Sequence, residues 1–153
     1  MLFRSVHGNL ILNTFTSLAE TDPDTVAVYQ ALVYKSIYLD TGAGNDTIKM
    51  GDVTAGEDIV AVAGDGNDKA TLDEVWAYDQ FYVAMGTGND TLTMTYLRAN
   101  YLSVDGGPGY DTLTHYYDGP TGHTVYTGWN VINGRRIWWA DVVVADLPTL
   151  VAA

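Results

Sequence analysis

A short glycine- and aspartate-rich segment recurs four times in this chain of 153 residues. Its copies begin at Gly42, Gly64, Gly86 and Gly107, so successive copies are 22, 22 and 21 residues apart. A unit of this length cannot bury its own apolar side chains, whereas stacked units share a continuous core. The repeat therefore predicts a stack of coils, each one lying on its neighbour.

Apolar residues occupy alternate positions on both sides of each glycine segment, which is typical of two short strands joined by a turn. The predicted fold class is all-β: a parallel β-solenoid, β-roll-like or β-helix-like, of about five to six coils with irregular ends. Residues at equivalent positions then stack into ladders inside the coil. One predicted ladder is Ile37, Ile59, Phe81 and Leu102, and another is Ile48, Ala70, Leu92 and Leu113.

Two predicted core positions of one coil hold small residues. Ala61 and Ala70 fall in one coil, so the core either narrows there or is filled by Trp76 or a neighbour. A further apolar position, eleven residues after the first glycine, is predicted on the second side of the coil. Its members are Val53, Val75 and Leu97.

The repeat fades towards both ends of the chain. Asp24–Val28 has the pattern of Asp46–Met50 but lacks the glycines, which indicates one degenerate coil upstream. We therefore predict a single domain over 1–153. It comprises an N-terminal cap at 1–14, repeat coils at 15–118, and an irregular last coil with a C-terminal cap at 119–153.

Charge and composition exclude several classes of partner and chemistry. Seven Lys and Arg against nineteen Asp and Glu give a net charge of −12, whereas nucleic acids and anionic lipids attract basic surfaces. No stretch approaches the roughly 20 apolar residues of a spanning helix. The absence of cysteine removes disulfides, thiolate metal sites and cysteine catalysis.

The glycine turns themselves indicate a metal site. Stacking places Asp46, Asp68, Asp90 and Asp111 in a column at about 4.8 Å spacing, where each neighbouring pair repels by roughly 0.9 kcal/mol even in water. Alternating glycines let backbone carbonyls turn to one side, and oxygen ligands at a tight turn suit Ca²⁺ best. The alternative is turn chemistry alone, with Asp and Asn capping their own backbone. The predicted metal residues are Gly42, Gly44, Asp46, Gly64, Gly66, Asp68, Gly86, Gly88, Asp90, Gly107, Gly109 and Asp111.

These turns resemble the repeats of the repeats-in-toxin (RTX) proteins, whose motif Gly-Gly-x-Gly-x-Asp-x-apolar-x binds calcium in a parallel β-roll. Residues Gly106–Thr114 match the motif in full, and the other copies replace its leading glycine by Thr41, Ala63 and Met85. The family repeats the motif every nine residues on both edges of the roll, whereas here it occurs once per coil on one edge. The resemblance implies calcium binding outside the cell. The N-terminus has no continuous apolar core, so we expect either secretion without a cleaved signal or an excised fragment.

One group of polar residues breaks the repeat and is the candidate for catalysis. Some carbohydrate-acting enzymes are β-helices, but no Ser/His/Asp spacing, phosphate loop or zinc cluster is found here. We expect no enzymatic activity. The group consists of His115, Tyr116, Tyr117, Asp118, His123, Tyr126, Arg135 and Arg136.

The expected function is a calcium-binding extracellular or cell-surface solenoid, structural or adhesive, that self-associates into a fibre or layer. Solenoid ends expose unpaired strand edges, and Trp138-Trp139 with the apolar tail Leu147–Ala153 either caps one end or docks on the next subunit. A surface polysaccharide is a further candidate partner, and a carbohydrate-binding module is an alternative function. Ice binding is another alternative, although the outward turn positions Ala43, Asp65, Thr87 and Pro108 form no threonine rank.

Overall fold

A computed structural model describes residues 5–13, 21–116, 123–132 and 135–136. Their strands form two sheets, one of six strands and one of seven. The first sheet contains β1 (Leu10–Asn13), β3 (Ile37–Asp40), β5 (Ile59–Asp65), β7 (Gln80–Thr87), β9 (Tyr101–Asp105) and β11 (His123–Thr127). The second contains β2 (Thr25–Val33), β4 (Thr47–Ala55), β6 (Lys69–Ala77), β8 (Thr91–Thr95), β10 (Thr112–Tyr116), β12 (Val131–Ile132) and β13 (Arg135–Arg136).

The predicted all-β parallel solenoid is confirmed. Odd-numbered strands pair with one another and so do even-numbered strands up to β12, always in parallel, so the chain alternates between the two sheets. Ile37 pairs with Ile59, and Ile48 pairs with Ala70, as the 22-residue step requires. The 21-residue step keeps this register, since Phe81 pairs with Leu102. Only the pairing of β12 with β13 is antiparallel among the described strands.

Regular pairing extends beyond the glycine segments in both directions. Leu10 of β1 pairs with Ile37, although β1 lies in the stretch for which a cap is predicted. At the other end, β11 pairs with β9 from His123–Tyr101 to Thr127–Asp105. Tyr117, Asp118, Trp138, Trp139 and Leu147–Ala153 lie outside the described residues, so their predicted roles stay predictions.

The core is a stack of apolar ladders between the two sheets. Every member of the two predicted ladders is at most 1% exposed. Trp76 does not fill the space beside Ala61 and Ala70, because its side chain lies on the outer side of β6 and is 44% exposed. The buried residues of this coil include Ala63 as well as the larger Ile59 and Leu72.

A kink in the even-numbered strands places the remaining apolar position. Gln30, Asp52 and Glu74 within β2, β4 and β6, and Tyr96 directly after β8, have φ of 51–54°, in the left-handed region, at equivalent points of four coils. In β4 the kink makes two successive residues, Gly51 and Asp52, face outward, after which Val53 and Ala55 point inward. Val53 and Val75 therefore belong to the same strands as the preceding apolar residues, β4 and β6, in the sheet that forms the second side of the coil.

Candidate functional site: the glycine edge

The glycine turns lie one above another along one edge of the solenoid, which we call the glycine edge (residues 41–47, 63–69, 85–91 and 106–112). Each turn carries the chain from the first sheet to the second. Gly64 has φ of 108° and Gly66 has φ of 151°, and a Cβ at either position would overlap a backbone oxygen of the turn in the preceding coil, that of Gly42 or Gly44. Successive turns are therefore in direct backbone contact, which no residue with a side chain permits here.

The four repeated aspartates form a continuous ladder of hydrogen bonds inside this edge. Asp46, Asp68, Asp90 and Asp111 are at most 3% exposed. Each Oδ1 atom accepts a hydrogen bond from the backbone N–H at the equivalent position of the preceding coil. The bonds run from Asp24 to Asp46 (2.7 Å), Asp46 to Asp68 (2.7 Å), Asp68 to Asp90 (2.8 Å) and Asp90 to Asp111 (2.8 Å).

Asn130 ends this aspartate ladder and was not found by sequence reasoning. Its Oδ1 accepts a hydrogen bond of 2.7 Å from the Asp111 N–H, so a neutral amide replaces the carboxylate at the last step. The signal is present in the sequence: Gly128-Trp129-Asn130 has the order of Gly109-Tyr110-Asp111, and the following Val131 pairs with Thr112. The stack therefore contains a fifth, degenerate turn.

The second carboxylate oxygen of each aspartate differs from the first in its hydrogen bonding. Oδ2 of Asp46, Asp68, Asp90 and Asp111 is buried and has no hydrogen-bond partner in the described part of the chain. Burial raises the pKa of Asp68 and of Asp111, and neighbouring carboxylates add to this effect. The hydrogen bond from the backbone N–H lowers the pKa of each group, but by less than burial raises it, so that the pKa lies at about 6 instead of 3.8. Burial also raises the pKa of Asp90. The ladder is thus a row of desolvated carboxyl groups that each lack one partner.

The oxygen atoms of this edge fit a hard divalent cation. The turns that carry these buried Oδ2 atoms also contain glycines, whose backbone bears no side chain, and Ca²⁺ takes oxygen donors. Among residues that the structure describes, no three His, Asp or Glu side chains converge as a metal-binding group. An ion here would therefore take one carboxylate from each of two turns and complete its shell with backbone carbonyls or water.

A second ladder, made of asparagines, runs along the surface of the same edge. Asn45 Oδ1 accepts a hydrogen bond of 2.7 Å from the Asn67 N–H, and Asn67 Oδ1 accepts one of 2.8 Å from the Asn89 N–H. Asn89 Oδ1 then accepts the Tyr110 N–H at 2.9 Å. These bonds point along the stack in the opposite direction to those of the aspartates, so each turn is held from both sides.

The residues proposed for catalysis are only partly placed by the structure. His115 is half-buried on β10, opposite Met94, and its ring centre is 5.9 Å from that of Tyr126. Tyr116 is exposed on the same strand. His123, Arg135 and Arg136 lie in strands β11 and β13. The expectation of no enzymatic activity stays a prediction.

Comparison with known proteins adds no family to this picture. A scan against protein-family models gives no match, and searches among curated proteins and solved structures give no significant similarity. No helix in the described ranges has the length and apolar character needed to cross a bilayer. The resemblance to the RTX repeats therefore rests on the turn motif alone, and the parallel solenoid rests on the structure.

Proposed function

We propose that the glycine edge binds Ca²⁺ and that the protein is a non-enzymatic, calcium-stiffened structural module, as the RTX-like motif implies. The observation that carries this proposal is the row of four buried Oδ2 atoms without partners. A desolvated carboxylate needs a proton or a counter-charge. At neutral pH, with pKa values near 6 at Asp68 and Asp111, protons serve this purpose only in part.

The number of ions follows from the geometry of the column. Four aspartates define three intervals between successive turns, and one divalent ion in each would share the Oδ2 atoms on either side. Three ions would change the net charge from −12 to −12 + 6 = −6. The ligand residues are those of the four glycine segments, with Asp46, Asp68, Asp90 and Asp111 supplying the charge.

The donor set favours calcium over other metals. The chain contains no cysteine, and the glycine edge contains no histidine, so soft or imidazole-preferring metals lack ligands. Mg²⁺ requires near-ideal octahedral geometry, whereas Ca²⁺ accepts six to eight oxygens in irregular arrangements. Backbone turns stacked at a fixed spacing suit the more tolerant ion.

Weak sites of this kind favour an extracellular setting. Extracellular modules bind calcium with Kd values of about 0.1–1 mM, and at millimolar free calcium each such site adds roughly 0.4–1.4 kcal/mol to stability. Three sites would add a few kcal/mol, which is a large part of the stability of a typical domain. The cell exterior or cell surface is the compartment where these sites would be filled.

The test is a calcium titration with matched variants. We expect isothermal titration calorimetry at pH 7 to show about three sites, and thermal melting to shift upward in millimolar calcium relative to chelator. Asp90→Asn should lower the number of sites, whereas Asp73→Asn, which removes an equal charge from an exposed position on β6, should not. Absence of calcium uptake, together with identical melting in calcium and in chelator, would overturn the proposal.

Self-association is the second part of the proposed role. The outermost strands of the two sheets are β1 and β2 at one end and β11 and β13 at the other. Edge strands recruit further strands unless they are covered, and calcium at the glycine edge would stiffen each subunit. Electron microscopy with and without calcium should show filaments or layers only with calcium. Monodisperse single subunits at high concentration in calcium would contradict this part.

A further inference from the structure

The edge opposite the glycine turns carries a cleft that the calcium proposal does not use. There the even-numbered strands end and the chain turns back to the first sheet. The cleft has a volume of about 310 Å³ and spans three coils. Besides three alanines, its lining consists of Thr54, Trp76, Tyr78, Arg98 and Asn100.

Two large aromatic side chains in the cleft are exposed to solvent. Trp76 is 44% exposed and Tyr78 is 77% exposed, while the apolar ladders of the same coils are buried. Large aromatic rings that remain in solvent are characteristic of binding surfaces, because their planar faces gain most from contact with a ligand. The two rings lie two residues apart, at the end of β6 and just beyond it.

Polar side chains surround these rings and carry hydrogen-bond donors that a ligand could use. The Arg98 guanidinium lies over the Trp76 ring, with its central carbon 4.6 Å from the ring centroid. A guanidinium that lies over a ring carries its five N–H donors in its own plane, where they can donate to a ligand beside the ring. Asn100 adds an amide, Thr54 a hydroxyl group and Tyr78 a phenol, all in the same cleft.

Register places these groups along the axis of the stack. Thr54 pairs with Trp76, and Trp76 pairs with Arg98 across a bridge, so one position from each of three successive coils forms a row. At about 4.8 Å per coil the row is roughly 10 Å long. A ligand that fills it is elongated, has flat apolar faces and carries hydrogen-bonding groups at its edges.

We propose that this cleft binds a segment of a neutral polysaccharide, with sugar rings stacked on Tyr78 and on the face of Trp76 that Arg98 does not cover. The C–H faces of a pyranose match the aromatic rings, and its hydroxyl groups match Arg98, Asn100 and Thr54. The net charge of −12 opposes the approach of a polyanion. The Arg98 guanidinium is the cation of the cleft, and it already contacts the Trp76 ring. A neutral sugar chain is therefore the occupant that the charge and shape favour.

The test is affinity electrophoresis of the whole chain in native gels that contain chelator, so that calcium-dependent assembly does not affect migration. The gels contain hydroxyethylcellulose, galactomannan, dextran or, as the acidic comparison, polygalacturonate. We expect a neutral polymer to retard the protein, and Trp76→Ala to weaken this retardation at least tenfold in apparent Kd. Tyr110→Ala is the matched control, because Tyr110 is an exposed aromatic residue on the glycine edge. It should behave as the unsubstituted chain.

Several results would overturn the proposal. One is retardation by none of the neutral polymers, and another is equal retardation of the unsubstituted chain and Trp76→Ala. Retardation by polygalacturonate alone would assign an acidic ligand instead. Sedimentation that shows self-association lost in Trp76→Ala would assign the cleft to a second copy of the chain. Because Trp76 lies on the surface, a far-ultraviolet spectrum should confirm that the variant is folded. None of these outcomes depends on calcium uptake at the glycine edge.

Discussion

Replacing Asp68 by asparagine should affect stability in opposite directions with and without calcium. The amide retains an oxygen that accepts the Asp46 N–H, as Oδ1 of Asp68 now does at 2.7 Å. Asn130 already plays this part at the end of the ladder, where it accepts the Asp111 N–H. The variant therefore keeps the ladder but removes a buried charge from its middle.

The size of the effect without calcium follows from the pKa of this group. Burial and the neighbouring carboxylates raise the pKa of Asp68 from 3.8 to about 6, which corresponds to about 3 kcal/mol lost from stability at pH 7. Asp68→Asn should recover up to this amount in chelator at pH 7. Well below pH 3.8 the carboxyl group is protonated in both folded and unfolded chains, so the gain should fall to about 0.5 kcal/mol at pH 4 and vanish at lower pH.

The size of the effect with calcium follows from the position of Asp68. It borders two of the three intervals, so the variant should lose about two sites and most of the stabilisation that calcium gives. Urea unfolding at pH 4 and pH 7, in chelator and in millimolar calcium, measures both effects. Asp73→Asn, an exposed change of equal charge on β6, should stay within about 0.5 kcal/mol throughout. A destabilised Asp68→Asn chain in chelator at pH 7, or an undiminished calcium effect, would refute this reasoning.

Three further outcomes can be measured by chemical denaturation. In chelator the free energy of unfolding should fall as pH rises from about 4 to 7, because the folded ladder binds more protons than the unfolded chain in that window; stability that rises over this range would contradict the raised pKa values. Gly66→Ala should lower the free energy of unfolding by more than about 3 kcal/mol, since its Cβ would overlap a backbone oxygen of the turn in the preceding coil. Gly8→Ala should leave it nearly unchanged, because no atom lies within 4 Å of that Cβ. Glu74→Gly should raise the free energy of unfolding by about 1 kcal/mol, because Glu74 has φ of 54°. The control Asp73→Gly should lower it by about 0.5–1 kcal/mol, since glycine weakens a strand. A lower free energy of unfolding in Glu74→Gly would show that the side chain of Glu74 matters more than its backbone.

The stacking register could be predicted because two periodicities in the sequence agree. A 22-residue step superposes equivalent positions, and alternation assigns each position to the inside or the outside. A slip of one residue would turn Ile37, Ile59 and their ladder outward, so register is strongly specified. The shortened step before Gly107 keeps this register, since Leu102 still pairs with Phe81.

The glycine edge was predictable in its residues but not in its bonding. The repeat placed the four aspartates in one column, and the structure brings them into one ladder. That each Oδ1 accepts a backbone N–H from the preceding coil depends on the exact rotation of one turn over the next, which spacing does not encode. Asn130 was missed because its coil lacks the full motif, although Gly128 stands two residues before it, as Gly109 stands two residues before Asp111.

The sequence alone therefore determined that coils stack in parallel and which side chains face the core, because burial repeats with the chain's own period. Only the tertiary structure decided which carboxylate oxygens are left without partners, where the even-numbered strands kink, and that Trp76 faces solvent beside Arg98. These features depend on contacts between atoms about 22 residues apart. A residue pattern states that such atoms are neighbours, but not how they are oriented.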